Sequence, residues 1–258
     1  MPSLHNNIVC ITGASAGIGL ACAESFAANG ARLVLCARRI DLLDAHAERL
    51  REQYRVTIHI LRLDIRDRDS VMTALASLPG EWNDIDILVN NAGLARGLSK
   101  LHEGDLDDWD EMIDTNIKGL LYVSRAIIPG MVRRQKGHIV NIGSIAGHDP
   151  YPCGAVYNGT KFAVDGISKA LRMDLVDTPL RVSSVDPGLV ETDFSLIRFR
   201  GDAERAAKIY AEIESLTAVD VADAVLYCVT RPAHVSINNI VLTPTAQASS
   251  LIKHLRKT

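Results

Sequence analysis

Short runs of aliphatic and β-branched residues alternate along the chain with longer stretches in which apolar positions recur at helical spacing. The runs fall at 8–13, 32–37, 56–63, 85–91, 137–144, 181–188 and 237–243. Several, such as "IVCITG" and "RLVLCA", are almost continuously apolar. That is the pattern of strands covered on both faces, hence of a parallel sheet. Helical patterns lie near 18–29, 39–54, 67–78, 107–134, 155–176 and 218–230. Repeated strand–helix units predict an α/β fold: a Rossmann-type doubly wound parallel sheet of about seven strands with helices on both faces. No linker or internal repeat interrupts it, so residues 1–258 read as a single domain. Pro129 falls inside the pattern at 107–134 and should kink or end that helix. The stretch 189–216 is the least regular. It is expected to leave the C-terminal end of the strand at 181–186, where such sheets bind ligands, and to form a substrate lid.

The first strand runs straight into "TGASAGIG", with Gly13, Ser15, Gly17, Ile18 and Gly19. Glycines there permit a tight turn and close approach of backbone to a pyrophosphate, which then meets the N–H groups of the following helix. The spacing is G-x-x-x-G-x-G, and a plain glycine turn is the alternative for the motif alone. The order strand, turn, helix favours the nucleotide reading. The second strand ends in Ala37, where an NAD site usually places an acid, and Arg38 and Arg39 follow. Guanidinium groups suit a 2′-phosphate, so NADP(H) is expected over NAD. The alternative is two arginines opening a solvated helix. In "LDIRD", Asp64 with Ile65 could place a carboxylate by the adenine amine, and "NNAG", with Asn91, Ala92 and Gly93, ends a strand where backbone could approach a cofactor.

The stretch "AVYNGTK" puts Tyr157 and Lys161 one helical turn apart. Ser144 ends a strand thirteen residues earlier, and Asn116 lies in "MIDTNIKG". The set Asn, Ser, Tyr-x-x-x-Lys, following TGxxxGIG and NNAG in this order, resembles the short-chain dehydrogenase/reductase family over essentially the whole chain. The resemblance implies catalytic roles for Asn116, Ser144, Tyr157 and Lys161. Tyr157 would exchange a proton with the substrate oxygen and Ser144 would hold that oxygen. Lys161 would lower the tyrosine pKa and bind the nicotinamide ribose, and Asn116 would hold a water relaying protons to Lys161. A free tyrosine, with a pKa of about 10, needs such help near neutrality. Pro187, Gly188, Val190 and Thr192 in "VDPGLVET" would pass the nicotinamide. The family's usual homotetramer is implied in the same way.

Within the family the chain is most similar to NADP-dependent 3-hydroxy acid dehydrogenases that oxidise L-serine or L-allo-threonine. The stretches "LPGEWNDIDILVNNAGLARG", "DPGLVETDFSLIRFRGD" and "PAHVSINNIVLTPTAQ" carry this similarity. A carboxylate substrate needs a cation. Arg198, Arg200 and Arg96 are the candidates and Arg198 is the choice, against the alternative of a solvated arginine. His148, with Asp149, is expected beside the substrate. Other reductions remain open: a sulfonated aldehyde, an acyl ketone or a polyol. A protein that senses NADP(H) without turnover is the third reading.

Composition sets limits. The net charge of -3 argues against nucleic acid or an anionic membrane as partner. No apolar run reaches the roughly 18 residues of a membrane span. The N-terminal stretch lacks the basic and apolar segments of a signal peptide. The five cysteines are scattered, reading as reduced thiols in a cytoplasmic protein. The eight histidines show no metal-binding spacing, so no metal is expected.

Overall fold

In the computed structural model, which describes residues 4–211 and 213–254, the apolar runs form one parallel sheet. Its strands are β1 (Ile8–Thr12), β2 (Arg32–Ala37), β3 (Ile58–Arg62), β4 (Ile87–Asn90), β5 (His138–Ile142), β6 (Arg181–Pro187) and β7 (Asn239–Leu242). Their spatial order is β3-β2-β1-β4-β5-β6-β7. Order reverses between β1 and β4, the switch point at which such sheets bind ligands.

Alternation along the central strands explains the two apolar layers. Val9 and Ile11 of β1, with Leu33 and Leu35 of β2, enter one core together with Phe26 and Val225. Ile8 and Cys10, with Val34 and Cys36, enter the other together with Val123, Ile127 and Met131. Successive side chains of a strand point to opposite faces, so a strand buried on both sides must be apolar throughout. Helices α1 (Gly17–Ala28), α2 (Ile40–Tyr54), α3 (Arg68–Ala76), α4 (Leu106–Ile113), α5 (Leu120–Arg134), α6 (Ala155–Asp174), α7 (Phe194–Arg198), α8 (Ala203–Lys208) and α9 (Ala218–Val229) complete the fold. Cys10, Cys22, Cys36 and Cys228 are buried thiols and Cys153 is an exposed one.

The structure departs from expectation in two places. The pattern at 107–134 is not one α-helix: α4 passes into a π-helical stretch, Asp114–Gly119, and then α5. Widening the helix there turns Thr115 and Asn116 inward. Pro129 does not end α5, which runs to Arg134 because Val123, Ser124, Ile127 and Met131 hold it on the sheet. The segment 189–216 carries α7 and α8, and its ends are stitched together. Glu191 N donates to Leu216 O at 2.8 Å, and Leu216 N to Leu189 O at 2.9 Å.

A polar chain crosses the core beneath the strand ends. Asn90 Nδ2 donates to Ser124 Oγ at 3.0 Å and to Asn141 Oδ1 at 2.9 Å. Asn141 Nδ2 donates to Ser168 Oγ at 2.8 Å. Buried amides without partners would be costly, so these bonds fix β4, β5, α5 and α6 relative to one another.

Candidate active site

A cleft of about 1150 Å³ opens at the C-terminal ends of the strands. One half is built on the glycine turn. Gly13 has φ of 67°, and a Cβ there would lie 2.9 Å from Ala92 Cα. A Cβ on Gly19 would strike Gly13 O and Asn91 Nδ2, so α1 can begin only this close to the "NNAG" turn with glycine at 19. Thr12 Oγ1, at the end of β1, accepts from Asn91 N at 3.1 Å and Ala92 N at 3.0 Å. Asn91 Nδ2 returns a bond of 2.9 Å to Thr12 O. The two motifs, far apart in sequence, are one rigid cradle. No side chain caps α1, whose first residues line the cleft, so its N–H groups remain for a ligand anion.

Ser15, Gly17, Ile18, Arg38, Arg39, Asp64, Ile65, Ala92 and Gly93 line this half with Gly13 and Asn91. Gly19 lies behind the surface as the packing contact just described. Arg39 donates to Ser15 Oγ through Nε at 3.3 Å and Nη2 at 3.1 Å. Arg38 makes no hydrogen bond or ion pair among the described residues and is exposed. Asp64 is held by Arg66, through Nη2 at 2.6 Å and Nε at 2.9 Å. That pairing lowers the Asp64 pKa against the cost of burial. An uncapped helix start, a glycine cradle and guanidinium groups in place of a strand-end acid fit a dinucleotide with an extra phosphate.

The other half carries the polar quartet. Tyr157 and Lys161, on α6, are both buried. Burial raises the Tyr157 pKa, while the Arg198 charge and a hydrogen bond from Ser144 lower it. The Arg198 guanidinium lies 5.1 Å from the Tyr157 ring centre, and Lys161 Nζ lies 5.9 Å away. Two cations thus flank the phenol. Lys161 Nζ donates to Ile142 O at 2.9 Å. Burial brings the Lys161 pKa down to about 8, partly offset by Asp186. Asn116 Oδ1 accepts from Leu94 N at 2.9 Å, and its Nδ2 donates to Leu94 O at 2.8 Å and Thr160 Oγ1 at 3.0 Å. Its side chain therefore locks α6 to the strand-end loop.

Of the three candidate cations, two are already engaged. Arg200 pairs with Asp108, and Arg96 with Glu111 at 2.6 Å. Arg198 donates through Nη2 to the Tyr151 hydroxyl, while its buried Nε has no partner among the described residues. Pro187, Gly188, Val190 and Thr192 line the cleft beside it.

His148 corrects the expectation for substrate contact. Its Nε2 lies 2.7 Å from Asp186 Oδ2 and its side chain is outside the cleft lining, as is Asp149. Asp186 is the reason: its carboxylate is buried at the end of β6 and also accepts from Ser184 Oγ and Asn239 Nδ2. Sequence reading missed Asp186, although an acid inside the apolar run "RVSSVDPG" was the available signal. It also missed Thr12 and Tyr151. Tyr151 is carried into the cleft by the Asn158 Nδ2 bond to its carbonyl, 2.8 Å.

The family described as short chain dehydrogenase matches residues 7–200. The chain belongs to that family. It is 47% identical over 242 residues to the NADP-dependent 3-hydroxy acid dehydrogenase YdfG of Salmonella typhi, covering 93% of this chain and 96% of that one. It is 41% identical over 251 residues to the NADP-dependent 3-hydroxy acid dehydrogenase of Schizosaccharomyces pombe, covering 97% of both. The closed form of a serine dehydrogenase complexed with NADP+ superposes with a TM-score of 0.89 at 44% identity, over 97% of this chain and 100% of the other. No described helix of this family member is long and apolar enough to cross a membrane.

Proposed function

We propose that this protein is an NADP(H)-dependent dehydrogenase interconverting a small 3-hydroxy acid and its carbonyl form, with L-serine, L-allo-threonine and 3-hydroxypropanoate as first substrates. The observation that carries the reading is Arg198: a half-buried residue whose guanidinium lies over the ring of Tyr157 and whose buried Nε has no partner among the described residues. A buried donor calls for an acceptor, and a carboxylate one or two carbons from the reacting hydroxyl supplies it. The names of the relatives agree.

Hydride acceptance or donation is the chemistry that NADP(H) would supply when bound in the cleft. Tyr157 takes the hydroxyl proton in oxidation and gives it back in reduction. Ser144 donates a hydrogen bond to the reacting oxygen. Arg198 holds positive charge beside the phenol and, with the Ser144 hydrogen bond, opposes the upward push of burial, while Lys161 stands 5.9 Å from the ring centre. Arg38 receives the 2′-phosphate, and the glycine cradle and α1 hold the pyrophosphate. The segment 189–216 covers the substrate. Exposed Leu121, Phe162, Met173 and Val176 on and just beyond α5 and α6 offer an apolar face for a homotetramer. A cytoplasmic location fits the free thiols.

Absorbance at the NADPH band tests the proposal, with the three substrates offered in turn with NADP+ and NAD+. Turnover on hydroxy acids with marked preference for NADP+ is expected. Silence on all three, with turnover of sulfonated aldehydes or uncharged ketones instead, would overturn the substrate assignment.

A further inference from the structure

Arg198 stands on α7, a helix of five residues in a segment with little other regular structure. Something must hold it against Tyr157. The C-terminal carbonyls of a helix lack helical partners, and here two are taken by one neighbouring strand-end loop. Arg96 Nη1 donates to Ile197 O, and Gly97 N donates to Arg198 O at 3.0 Å. Both peptide oxygens around Arg198 are thus anchored to residues 96 and 97.

Arg96 is itself anchored. Its Nε donates to Glu111 Oε2 at 2.6 Å and its Nη2 to Glu111 Oε1 at 3.2 Å, a forked pair in a largely buried setting. Its backbone N–H reaches Met112 Sδ at 3.4 Å. Glu111 Oε1 also accepts from Arg66 Nη1 at 3.3 Å, and Arg66 holds Asp64 on the coenzyme half. The Arg96 bonds lower the Glu111 pKa, ahead of the opposing cost of burial. Three of the five Arg96 N–H groups are committed and its charge is paired with Glu111, so Arg198 is the better placed of the two for an anion.

We propose that Arg96 is a positioning residue for anionic substrates: braced by Glu111, it fixes the end of α7 and so places the Arg198 guanidinium at the substrate. This rests on the assignment of Arg198 to the substrate carboxylate. It adds that selectivity for an anion depends on a residue that does not touch the anion. A forked pair specifies orientation as well as charge, and a displaced guanidinium loses its directional bonds.

The test uses the full-length enzyme, 3-hydroxypropanoate, and its neutral isostere 3-hydroxypropanamide. Arg96→Met is expected to raise KM for the acid about tenfold, the loss of roughly one charged hydrogen bond. The ratio of kcat/KM for acid over amide should fall by the same factor. Glu111→Gln, a milder change, should lower the ratio in the same direction. NADPH titration reports whether each variant is folded. In Arg96→Met/Arg198→Ala, the ratio should equal that of Arg198→Ala alone, because Arg96 acts only through Arg198. Additive losses, or an equal loss on acid and amide, would overturn the inference. If Arg198→Ala itself leaves the ratio unchanged, the substrate assignment fails first. If Arg198→Ala lowers it and neither Arg96→Met nor Glu111→Gln does, the positioning role alone fails.

Discussion

Replacing Arg38 by alanine separates the two arginines that follow β2. Arg39 spends Nε and Nη2 on Ser15 Oγ, at 3.3 and 3.1 Å, and Ser15 is buried in the glycine turn. Arg38 is exposed at the cleft and has no such bond among the described residues. Under the proposed function the 2′-phosphate contact would therefore fall to Arg38, while Arg39 supports the turn. A charge-assisted hydrogen bond contributes about 1.5–3 kcal/mol. Solvent exposure places Arg38 at the lower end, since surface charge is screened over about 8 Å at physiological salt. At about 1.4 kcal/mol per decade, Arg38→Ala should weaken NADPH roughly ten- to thirtyfold and NADH less than twofold. Arg39→Ala should weaken both coenzymes by a similar factor, because it loosens the cradle they share. Fluorescence titration of each variant with NADPH and NADH, repeated at low and high salt, reads all of this. Equal losses of both coenzymes in Arg38→Ala would refute the assignment, as would selectivity lost only in Arg39→Ala.

Tyr157→Phe removes the hydroxyl to which the proposed function gives the proton exchange. Turnover should fall at least about a hundredfold with NADPH affinity retained, and near-normal turnover would remove Tyr157 from the chemistry. Asp186→Asn removes the charge that raises the Lys161 pKa against burial, so that pKa should drop below its present value of about 8. Comparing the pH dependence of kcat/KM in the two proteins checks this, and an unmoved profile counts against the link. His138 supplies an acid-sensitive element. Burial, with the Arg181 charge, brings its pKa down to about 3, from an ordinary 6.5. The folded protein refuses a proton that the unfolded chain accepts, so the stability contribution is complete above pH 6.5 and is lost as pH falls from there toward 3. His138→Asn should reduce the slope of stability against pH near 5 by about one proton, roughly 1.4 kcal/mol per pH unit. Denaturant unfolding across that range measures it, and an unchanged slope excludes His138 as the source.

Much of this protein was written locally. Strands buried on both faces are mostly apolar, so the nearly continuous apolar runs of β1 and β2 announced a parallel sheet before any contact was known. The glycine turn, the missing acid at Ala37 and the spacing of Tyr157 and Lys161 are equally local, because each motif acts within a turn or two of backbone. Arg198 was the choice among three arginines in the sequence, but nothing local separated it from a solvated arginine. Tertiary structure separated them by giving Asp108 to Arg200 and Glu111 to Arg96, and by leaving the buried Nε of Arg198 without a partner among the described residues. It also turned His148 toward Asp186, a carboxylate 38 residues away, and widened a helix to bring Asn116 inward. Periodicity records which face of an element is apolar. Which polar groups meet across elements depends on how those elements pack, and the energetic need to pair buried charges then decides what remains available for a ligand.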